Sequence, residues 1–295
     1  MIGEGLAILA ALSYGGAAVS IVQSKPGAQA DNGVFLSVLV LFGISGGIWL
    51  GSGVVPLSAL WQPEGLCAIG VFALAGLSAN GLARWSMYRA TERIGAVSAT
   101  LLRRLTPIFV LPFAYLLLEQ IPDVATLWGG CVILIGVWIY LRPSTQPAAG
   151  GLSSGVMLGL LSPLAYAFAY SLRGLGLNGL PDPALGTFVG AGAAIIWSLA
   201  RHGLHRSPER GLRYLLTDRS PAHWRTALAL SVGQLLQFFA LKISAVATVA
   251  LLGTLEVLFS AVFIWLIYGR ESVDIKRLFA ATLCALGGTA LMILA

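Results

Sequence analysis

The sequence predicts an all-α membrane protein with ten transmembrane helices, arranged as two inverted five-helix repeats. Apolar residues make up 57% of the 295 residues and charged residues only 10%, whereas soluble domains carry about 25% charged residues. The mean hydropathy of +0.86 agrees with a chain that folds in lipid. Ten stretches are long and apolar enough to cross a bilayer, and the last five repeat the first five.

Each predicted helix meets the length that a bilayer demands, about 20 mostly apolar residues. Helices are favoured over strands because runs such as residues 131–140 (CVILIGVWIY) lack the alternation of a barrel strand. The first stretch is not expected to be a cleaved signal, since it lacks a basic segment and further apolar stretches follow it. The predicted helices cover residues 3–23, 34–53, 66–88, 96–118, 125–142, 153–172, 184–201, 225–241, 246–268 and 276–294.

The repeat is visible as matches that recur in order along each half. The matching pairs are residues 158–170 with 6–18, residues 243–255 with 94–106, Glu271 with Glu119, and Gly288 with Gly136. Because five is an odd number of crossings, equivalent helices of the two halves run in opposite directions. Such pseudo-symmetry provides two states of similar energy, one open to each side of the membrane, which is the basis of alternating access.

A short segment near the middle separates the two halves. Residues 143–151 (PSTQPAAGG) have the composition of a linker. We therefore assign residues 1–143 to the first five-helix repeat, 144–150 to the linker and 151–295 to the second five-helix repeat.

Positive charge predicts the orientation. Of the 18 Lys and Arg residues, 14 fall in loops after odd-numbered helices and two, Arg173 and Lys242, in loops after even-numbered helices. The remaining two, Arg103 and Arg104, lie inside the fourth helix. By the positive-inside rule the odd-numbered loops are cytoplasmic and both termini face outward.

Arg103 and Arg104 are the first candidates for a functional site because they lie at membrane depth. An arginine at the centre of a helix costs about 2.5–3.5 kcal/mol on insertion scales, so two adjacent ones need a reason. We predict that at least one lines a central cavity and binds a substrate carboxylate or phosphate. The alternative is that both extend to the headgroups or cap backbone carbonyls.

Glu256 is a further charge at membrane depth, in the ninth helix. In the alignment of the two repeats it occupies the position equivalent to Pro107. We predict a coupling or gating role for Glu256. It would pair with Arg103 or Arg104 across the repeat interface, or carry a proton that couples transport. The alternative is a protonated, hydrogen-bonded carboxyl with a structural role.

Polar and aromatic residues complete the predicted substrate-binding set. Asn80 and Gln234 fall at similar depths in equivalent helices, where a polar amide needs a cavity or a neighbouring helix. Tyr14 and Tyr166 are equivalent in the repeat, and Tyr170 follows one turn later. Hydrogen bonding between helices and simple packing are the alternatives for these residues.

Residues 90–119 (ATERIGAVSATLLRRLTPIFVLPFAYLLLE) resemble the signature of the drug/metabolite transporter superfamily, in its EamA-like branch. The matching positions in the first half are Tyr14, Gly15, Ala99, Leu105, Pro107, Glu119, Gly130 and Gly136. The second half keeps Tyr166, Ala245, Leu255, Glu271 and Gly288, but has Glu256 in place of the expected proline. The resemblance covers essentially the whole chain.

The resemblance implies a ten-helix carrier of amino acids, nucleotide-sugars, nucleosides or other small metabolites, with both termini usually cytoplasmic. The charge count predicts the opposite orientation for this chain, because residues 52–65 carry no Lys or Arg. We expect an integral, multi-pass protein of the bacterial inner membrane.

The expected function is a secondary transporter of small polar metabolites, amino acids or related organic anions, acting as an exporter by alternating access. A nucleoside, nucleotide-sugar or drug transporter is the alternative within this fold, and a channel or lipid-flipping scaffold the alternative of another class. No enzyme is expected, since the chain lacks GxxxxGK[ST], HExxH, and Ser/Lys or Asp/Asp pairs within helices.

The expected partners are a small-molecule substrate and membrane lipids, with no nucleic acid, cofactor or metal. Glycines at four-residue spacing, such as Gly43, Gly47 and Gly51, allow helices to approach closely. We expect most of them to pack within the bundle, and a homodimer is the alternative use.

Overall fold

Ten apolar helices form a bundle in the computed structural model, which describes residues 1–23, 33–52, 54–87, 89–90, 102–103, 105–141, 154–203, 212–217, 219–268 and 275–294. Seven of the ten are long enough to cross a membrane, and three are shorter. They correspond one for one to the helices predicted from the sequence. This confirms the all-α membrane fold.

The helices are α1 Ile2–Gln23, α2 Val34–Ser52, α3 Pro63–Gly76, α4 Thr106–Leu118, α5 Val124–Leu141, α6 Ser154–Gly179, α7 Pro183–Gly203, α8 Pro221–Ile243, α9 in two parts, Val246–Gly253 and Glu256–Tyr268, and α10 Ile275–Leu294. The span that begins with α3 continues as a π-helix over Leu77–Ala83 and reaches Met87. Two short helices, Leu57–Trp61 and Leu212–Leu215, lie in connections between the long ones.

Local sequence sets where several helices begin. Pro63, Pro183 and Pro221 occupy the first helical positions of α3, α7 and α8, where the missing N–H is not needed. Asp182 precedes α7, and its Oδ1 accepts hydrogen bonds from the N–H groups of two residues of the first turn, at 2.9 and 3.1 Å. Ser220 caps α8 in the same way, through the N–H of its third residue.

The pattern of helix contacts is the same in both halves. Exchanging each helix for its equivalent in the other half (α1 with α6, and so on to α5 with α10) gives the same set of interfaces. The α1–α8 interface corresponds to the α3–α6 interface. In the same way, the α4–α6 interface corresponds to α1–α9, and the α2–α8 interface corresponds to α3–α7. The α2–α7 and α5–α10 interfaces are their own counterparts. Because each half holds five helices, equivalent helices cross in opposite directions, and the fold is an inverted repeat. The predicted boundary at residues 144–150 lies outside the described residues and stays a prediction.

The α5–α10 interface shows the exchange at the level of single residues. A Cβ at Gly136 of α5 would lie 2.6 Å from the Cβ of Cys284 and 3.0 Å from the carbonyl oxygen of Ala281. A Cβ at Gly288 of α10 would lie 2.5 Å from the carbonyl oxygen of Gly129. Gly136 and Gly288 match in the sequence repeat, and each lets its helix approach the backbone of the other.

The outer surface is apolar, as lipid-facing protein requires. Many large apolar side chains are exposed there, including Leu50, Leu116, Trp128, Ile196 and Leu266. The buried core lies between the helices, around Phe72, Phe238 and Leu252.

The glycine stripe of α2 corrects one expectation. A Cβ at Gly43, Gly47 or Gly51 would meet nothing within 4 Å, so these three do not pack within the bundle. The close approach belongs instead to Gly46, where a Cβ would lie 2.8 Å from the ring of Phe188. A four-residue spacing fixes one face of a helix but not the direction in which that face points. The homodimer stays a prediction.

Candidate functional site

α9 is broken near its middle. Its two parts, Val246–Gly253 and Glu256–Tyr268, are separated by a tight turn. There the N–H of Thr254 donates to the carbonyl of Leu251 at 3.0 Å, and the N–H of Val257 donates to the carbonyl of Thr254 at 3.2 Å. Each of these bonds joins an N–H to the carbonyl three residues earlier, as in a 3₁₀-helix, whereas an α-helix joins residues four apart. The Thr254 hydroxyl also donates to the carbonyl of Leu251, at 2.6 Å, and so satisfies a backbone group at the break.

α4 begins at the equivalent break. The N–H of Leu105 donates to the carbonyl of Leu102 at 3.0 Å, and the N–H of Ile108 donates to the carbonyl of Leu105 at 3.0 Å. Under the sequence repeat, these two bonds correspond to the two backbone bonds of the α9 break. The two halves therefore place a tight turn at the same position of their fourth helices.

An ion pair connects the two breaks. The Nη2 of Arg103 donates to the Oε2 of Glu256 at 3.0 Å. Glu256 is the first residue of the second part of α9, where the helix dipole favours a negative charge, and it is only 6% exposed. The Nη1 of Arg103 also contacts the sulfur of Met87 at 3.8 Å. Since the two charges belong to different repeats, movement of one repeat against the other must strain or break this pair.

Tyrosines from both repeats surround these charges. The Arg103 guanidinium lies 5.5 Å from the centre of the Tyr166 ring, within cation–π range. Tyr14, the equivalent tyrosine of the first repeat, directly precedes Gly15, where a Cβ would lie 3.2 Å from the backbone carbonyl oxygen of Glu256. It packs closely against α8, where a Cβ at Gly233 would come within 2.9 Å of the Tyr14 ring. The predicted residues Arg103, Glu256, Tyr14 and Tyr166 are thus brought together.

Arg173 is a candidate site residue that the sequence analysis missed. The predicted sixth helix ended at residue 172, which assigned Arg173 to a loop, but α6 continues to Gly179. The side chain of Arg173 is therefore inside the bundle and only 3% exposed. A signal was present, because the first proline after Pro163 is Pro181 and the apolar pattern continues to it. Without Arg173, Lys242 is the one cation assigned to the even-numbered loops.

The surroundings of Arg173 are neutral. Its Nη1 donates to the Oε1 of Gln237 at 2.6 Å, and the Nε2 of Gln237 donates to the hydroxyl of Tyr170. The guanidinium lies 4.8 Å from the centre of the Phe238 ring and 5.8 Å from that of Tyr170. Its Nε has no hydrogen-bond partner. Within the described part of the chain, no carboxylate forms an ion pair with Arg173.

The described part of the site thus holds more positive than negative charge. Arg103 and Arg173 provide two guanidinium groups, whereas Glu256 provides one carboxylate. A buried cation without a counter-ion is costly, and the binding of an anion would reduce that cost. The arrangement is suited to a small molecule that carries a carboxylate, phosphate or sulfonate.

Asn80 and Gln234 are both buried but are less closely connected with the charges. Asn80 lies in the π-helical segment, and its Nδ2 has no hydrogen-bond partner. This segment is held against α6, because Ser78 donates to the carbonyl of Ala165 at 2.9 Å. Gln234 lies in α8, one turn before Gln237. Among the described residues, no hydrogen bond connects either predicted amide with Arg103 or Arg173.

Two further predictions remain open. Arg104 lies outside the described residues, and its role as a substrate-binding residue stays a prediction. The described residues contain no group of three or more His, Cys, Asp or Glu side chains that could hold a metal ion.

Apolar helices in an inverted repeat, paired helix breaks and a buried charged cluster define the class of protein, a membrane transporter. Comparison with known families agrees. Residues 1–142 match the model of the EamA-like transporter family. Over these residues, the first of the two repeats, the chain matches this family of the drug/metabolite transporter superfamily.

A solved structure shares the fold over nearly the whole chain. One crystal structure covers 99% of this chain and 96% of its own, with a TM-score of 0.69 and 18% sequence identity. At that identity the likeness shows the fold alone. No curated protein sequence matches the chain.

Proposed function

We propose that this transporter is a secondary carrier that moves small organic anions or amino acids by alternating access. The observation that carries the proposal is the Arg103–Glu256 ion pair, which joins the helix breaks of the two repeats. Discontinuous helices at a repeat interface supply substrate and ion sites in carriers of this architecture. A second buried guanidinium, that of Arg173, adds positive charge to the interior of the bundle and favours an anionic group on the substrate.

The ion pair supplies a mechanism for coupling substrate to movement. An anionic group that binds Arg103 competes with Glu256 for the same guanidinium. When the pair opens, the repeats lose a contact that favours this arrangement, and the population shifts towards the other state. Glu256, released from Arg103, is then the residue for which we propose the coupling or gating role.

For direction and location we propose export across the bacterial inner membrane. The odd-numbered loops, which carry most of the Lys and Arg residues, are expected on the cytoplasmic face. In export, the substrate enters the protein from that face. Equal rates from both faces of oriented vesicles would contradict a preferred direction.

A substrate with an aromatic or heterocyclic ring, such as a nucleoside, is the second candidate. It is favoured by the three tyrosines around the charges, Tyr14, Tyr166 and Tyr170, whose rings could stack on such a group.

The test begins with a thermal-shift screen of the purified protein against amino acids, nucleosides, sugar phosphates and simple organic acids. A ligand that binds the folded state raises its Tm by mass action. The best ligand is then supplied, in labelled form, to proteoliposomes for uptake and counterflow. Saturable uptake with counterflow is the result expected of a carrier, whereas unsaturable flux would indicate a pore.

Variants connect uptake with the site. Arg103→Ala and Arg104→Ala are each expected to lower the uptake of an anionic substrate at least about tenfold, the equivalent of about 1.4 kcal/mol. Arg213→Ala, which removes an exposed arginine outside the bundle, is the matched control and should leave uptake unchanged. Unchanged uptake in both test variants would remove the two arginines from the site.

A further inference from the structure

An open cavity lies on the face of the bundle where α6 and α8 end. Its volume is about 410 Å³, and it is lined by the ends of both helices and by the α4–α5 connection. Exposed residues form its rim, among them Asn178 and Lys242. Buried residues form its floor, Gly174 of α6 and Leu241 of α8. The lining therefore includes both exposed and buried residues.

The floor of this cavity includes Gly174, and the residue before it, Arg173, has no carboxylate partner among the described residues. Arg173 directly precedes Gly174, and its hydrogen-bond partner Gln237 lies one helical turn before Leu241. Arg173 is nevertheless 3% exposed, so the cavity does not reach the guanidinium in this structure. The Nε of Arg173 remains a buried donor without a partner. A ligand that passed the floor would meet an unused donor.

Apolar side chains pack against Gly174, a residue of the floor. A Cβ at Gly174 would lie 2.9 Å from a methyl carbon of Leu118 and 3.0 Å from one of Val246. Leu118 ends α4, and Val246 begins α9. Both belong to the fourth helix of a repeat, the same helices that are broken at the ion pair. Movement of these helices would therefore change this packing and the ion pair together.

The charge of the cavity suits an anion. Lys242 is its one charged lining residue among those described, and no acidic side chain lines it. The nearby carboxylate of Glu4 accepts a hydrogen bond from Ser244 at 3.2 Å, but it is paired with the amino group of Met1 at 2.5 Å. Lys242 at the rim and Arg173 beneath the floor thus form a path of increasing burial for a negative group.

We propose that this cavity is the entrance to the substrate site from the even-loop face, and that Arg173 receives the anionic group of the substrate. The proposal rests on the carrier function proposed above and adds the binding residue and the route. Lys242 raises the local concentration of anions, and Arg173 binds them when the contact of Leu118 and Val246 opens. Gln237 and Tyr170 hold the guanidinium in place.

The experiment measures the charge selectivity of the cavity with two thiol reagents. Cys67, Cys131 and Cys284 are free and would first be replaced by Ala, and Asn178→Cys then places one thiol at the rim. The reaction rates with anionic sulfonatoethyl and cationic trimethylammonioethyl methanethiosulfonate are compared in nanodiscs. The reference is Ser58→Cys, an exposed position in the α2–α3 connection on the same membrane face.

The anionic-to-cationic rate ratio is expected to be higher at position 178 than at position 58. Lys242→Gln and Arg173→Gln should each lower it roughly threefold or more at position 178 and leave it unchanged at position 58. Arg173→Lys, which keeps the charge, should preserve it. Equal ratios at the two positions, or ratios that neither neutral substitution changes, would overturn the proposal. Lys242 is exposed, so its variant tests the entrance even where Arg173→Gln does not fold. A ratio that Lys242→Gln changes and Arg173→Gln does not would overturn the role of Arg173.

Uptake distinguishes this proposal from the carrier proposal. Saturable uptake together with equal rate ratios would overturn the entrance and leave the carrier. A selective ratio that depends on Arg173, without uptake of any anion, would overturn the carrier and leave an anion-binding cavity.

Discussion

Arg103 and Glu256 each lie beside the break of the fourth helix of their own repeat, and their side chains meet at 3.0 Å. Neither charge has this partner within its own half of the chain. The geometry of the ion pair therefore depends on the position of one repeat relative to the other. A local change at either residue is expected to act on the whole bundle.

The first prediction concerns the energy of this pair. Glu256→Gln or Arg103→Gln alone removes one charge of the pair and is expected to lower stability by about 1–3 kcal/mol, less than for a fully buried pair because Arg103 is a quarter exposed. The double variant should lose less stability than the sum of the losses of the two single variants. Thermal unfolding in nanodiscs measures this double-mutant cycle. Purely additive losses would show that the pair does not couple the repeats.

The second prediction concerns the crossing of α3 and α7. A Cβ at Gly76 would lie 2.1 Å from the carbonyl oxygen of Gly190, so Gly76→Ala must push the two helices apart. We expect a loss of about 1–3 kcal/mol, as for other overpacked sites. Gly70→Ala in the same helix is the matched control, because a Cβ there meets nothing within 4 Å. It should be neutral or slightly stabilising, since Ala favours the helix. Similar Tm values for both variants would contradict the close crossing.

The third prediction concerns the π-helical segment. The hydroxyl of Ser162 donates to the carbonyl of Ala83 at 2.9 Å and connects α6 with the end of this segment. Ser162→Ala is expected to cost about 1 kcal/mol, because a buried hydrogen bond is lost. Ser52→Ala removes only an exposed bond within α2, to Trp49, and should have little effect. Equal changes in Tm would mean that the bond to Ala83 does not hold the segment.

The fourth prediction concerns pH. Hydrogen bonds from the backbone N–H and side chain of Thr126 hold the pKa of Asp123, outside the membrane-spanning segments, below its ordinary value. A lowered pKa means that the ionised carboxylate stabilises the fold above its unfolded pKa and that this contribution is lost as the pH falls through the folded pKa. Asp123→Ala is thus expected to lower stability by about 1 kcal/mol at neutral pH, as for other lost helix caps.

The pH profile of Asp123→Ala provides its own control. The Tm difference from the wild type should shrink as the pH is lowered towards the folded pKa of Asp123, because the wild type then loses the same contribution. A difference that stays constant over the acidic range would assign the effect to packing instead of ionisation.

The sequence by itself determined which segments enter the lipid and how they repeat. The free energy of transferring a segment into lipid is a sum over the residues of that segment, so composition alone identifies each helix. The same sum marked Arg103 and Glu256 as charges that need an explanation at depth. The match of Gly136 with Gly288 could also be read directly, because both positions follow equivalent stretches of sequence.

Only the tertiary structure decided which of these residues meet. Arg173 was assigned to a loop because its depth depends on where α6 ends, and α8 packs against that end with Gln237. Gly43 and Gly46 both lie in α2, yet one faces outward and the other meets Phe188, since rotation of a helix is set by its neighbours. Hydrophobicity acts on one segment at a time, whereas contacts depend on the depth and rotation of helices that are distant in sequence.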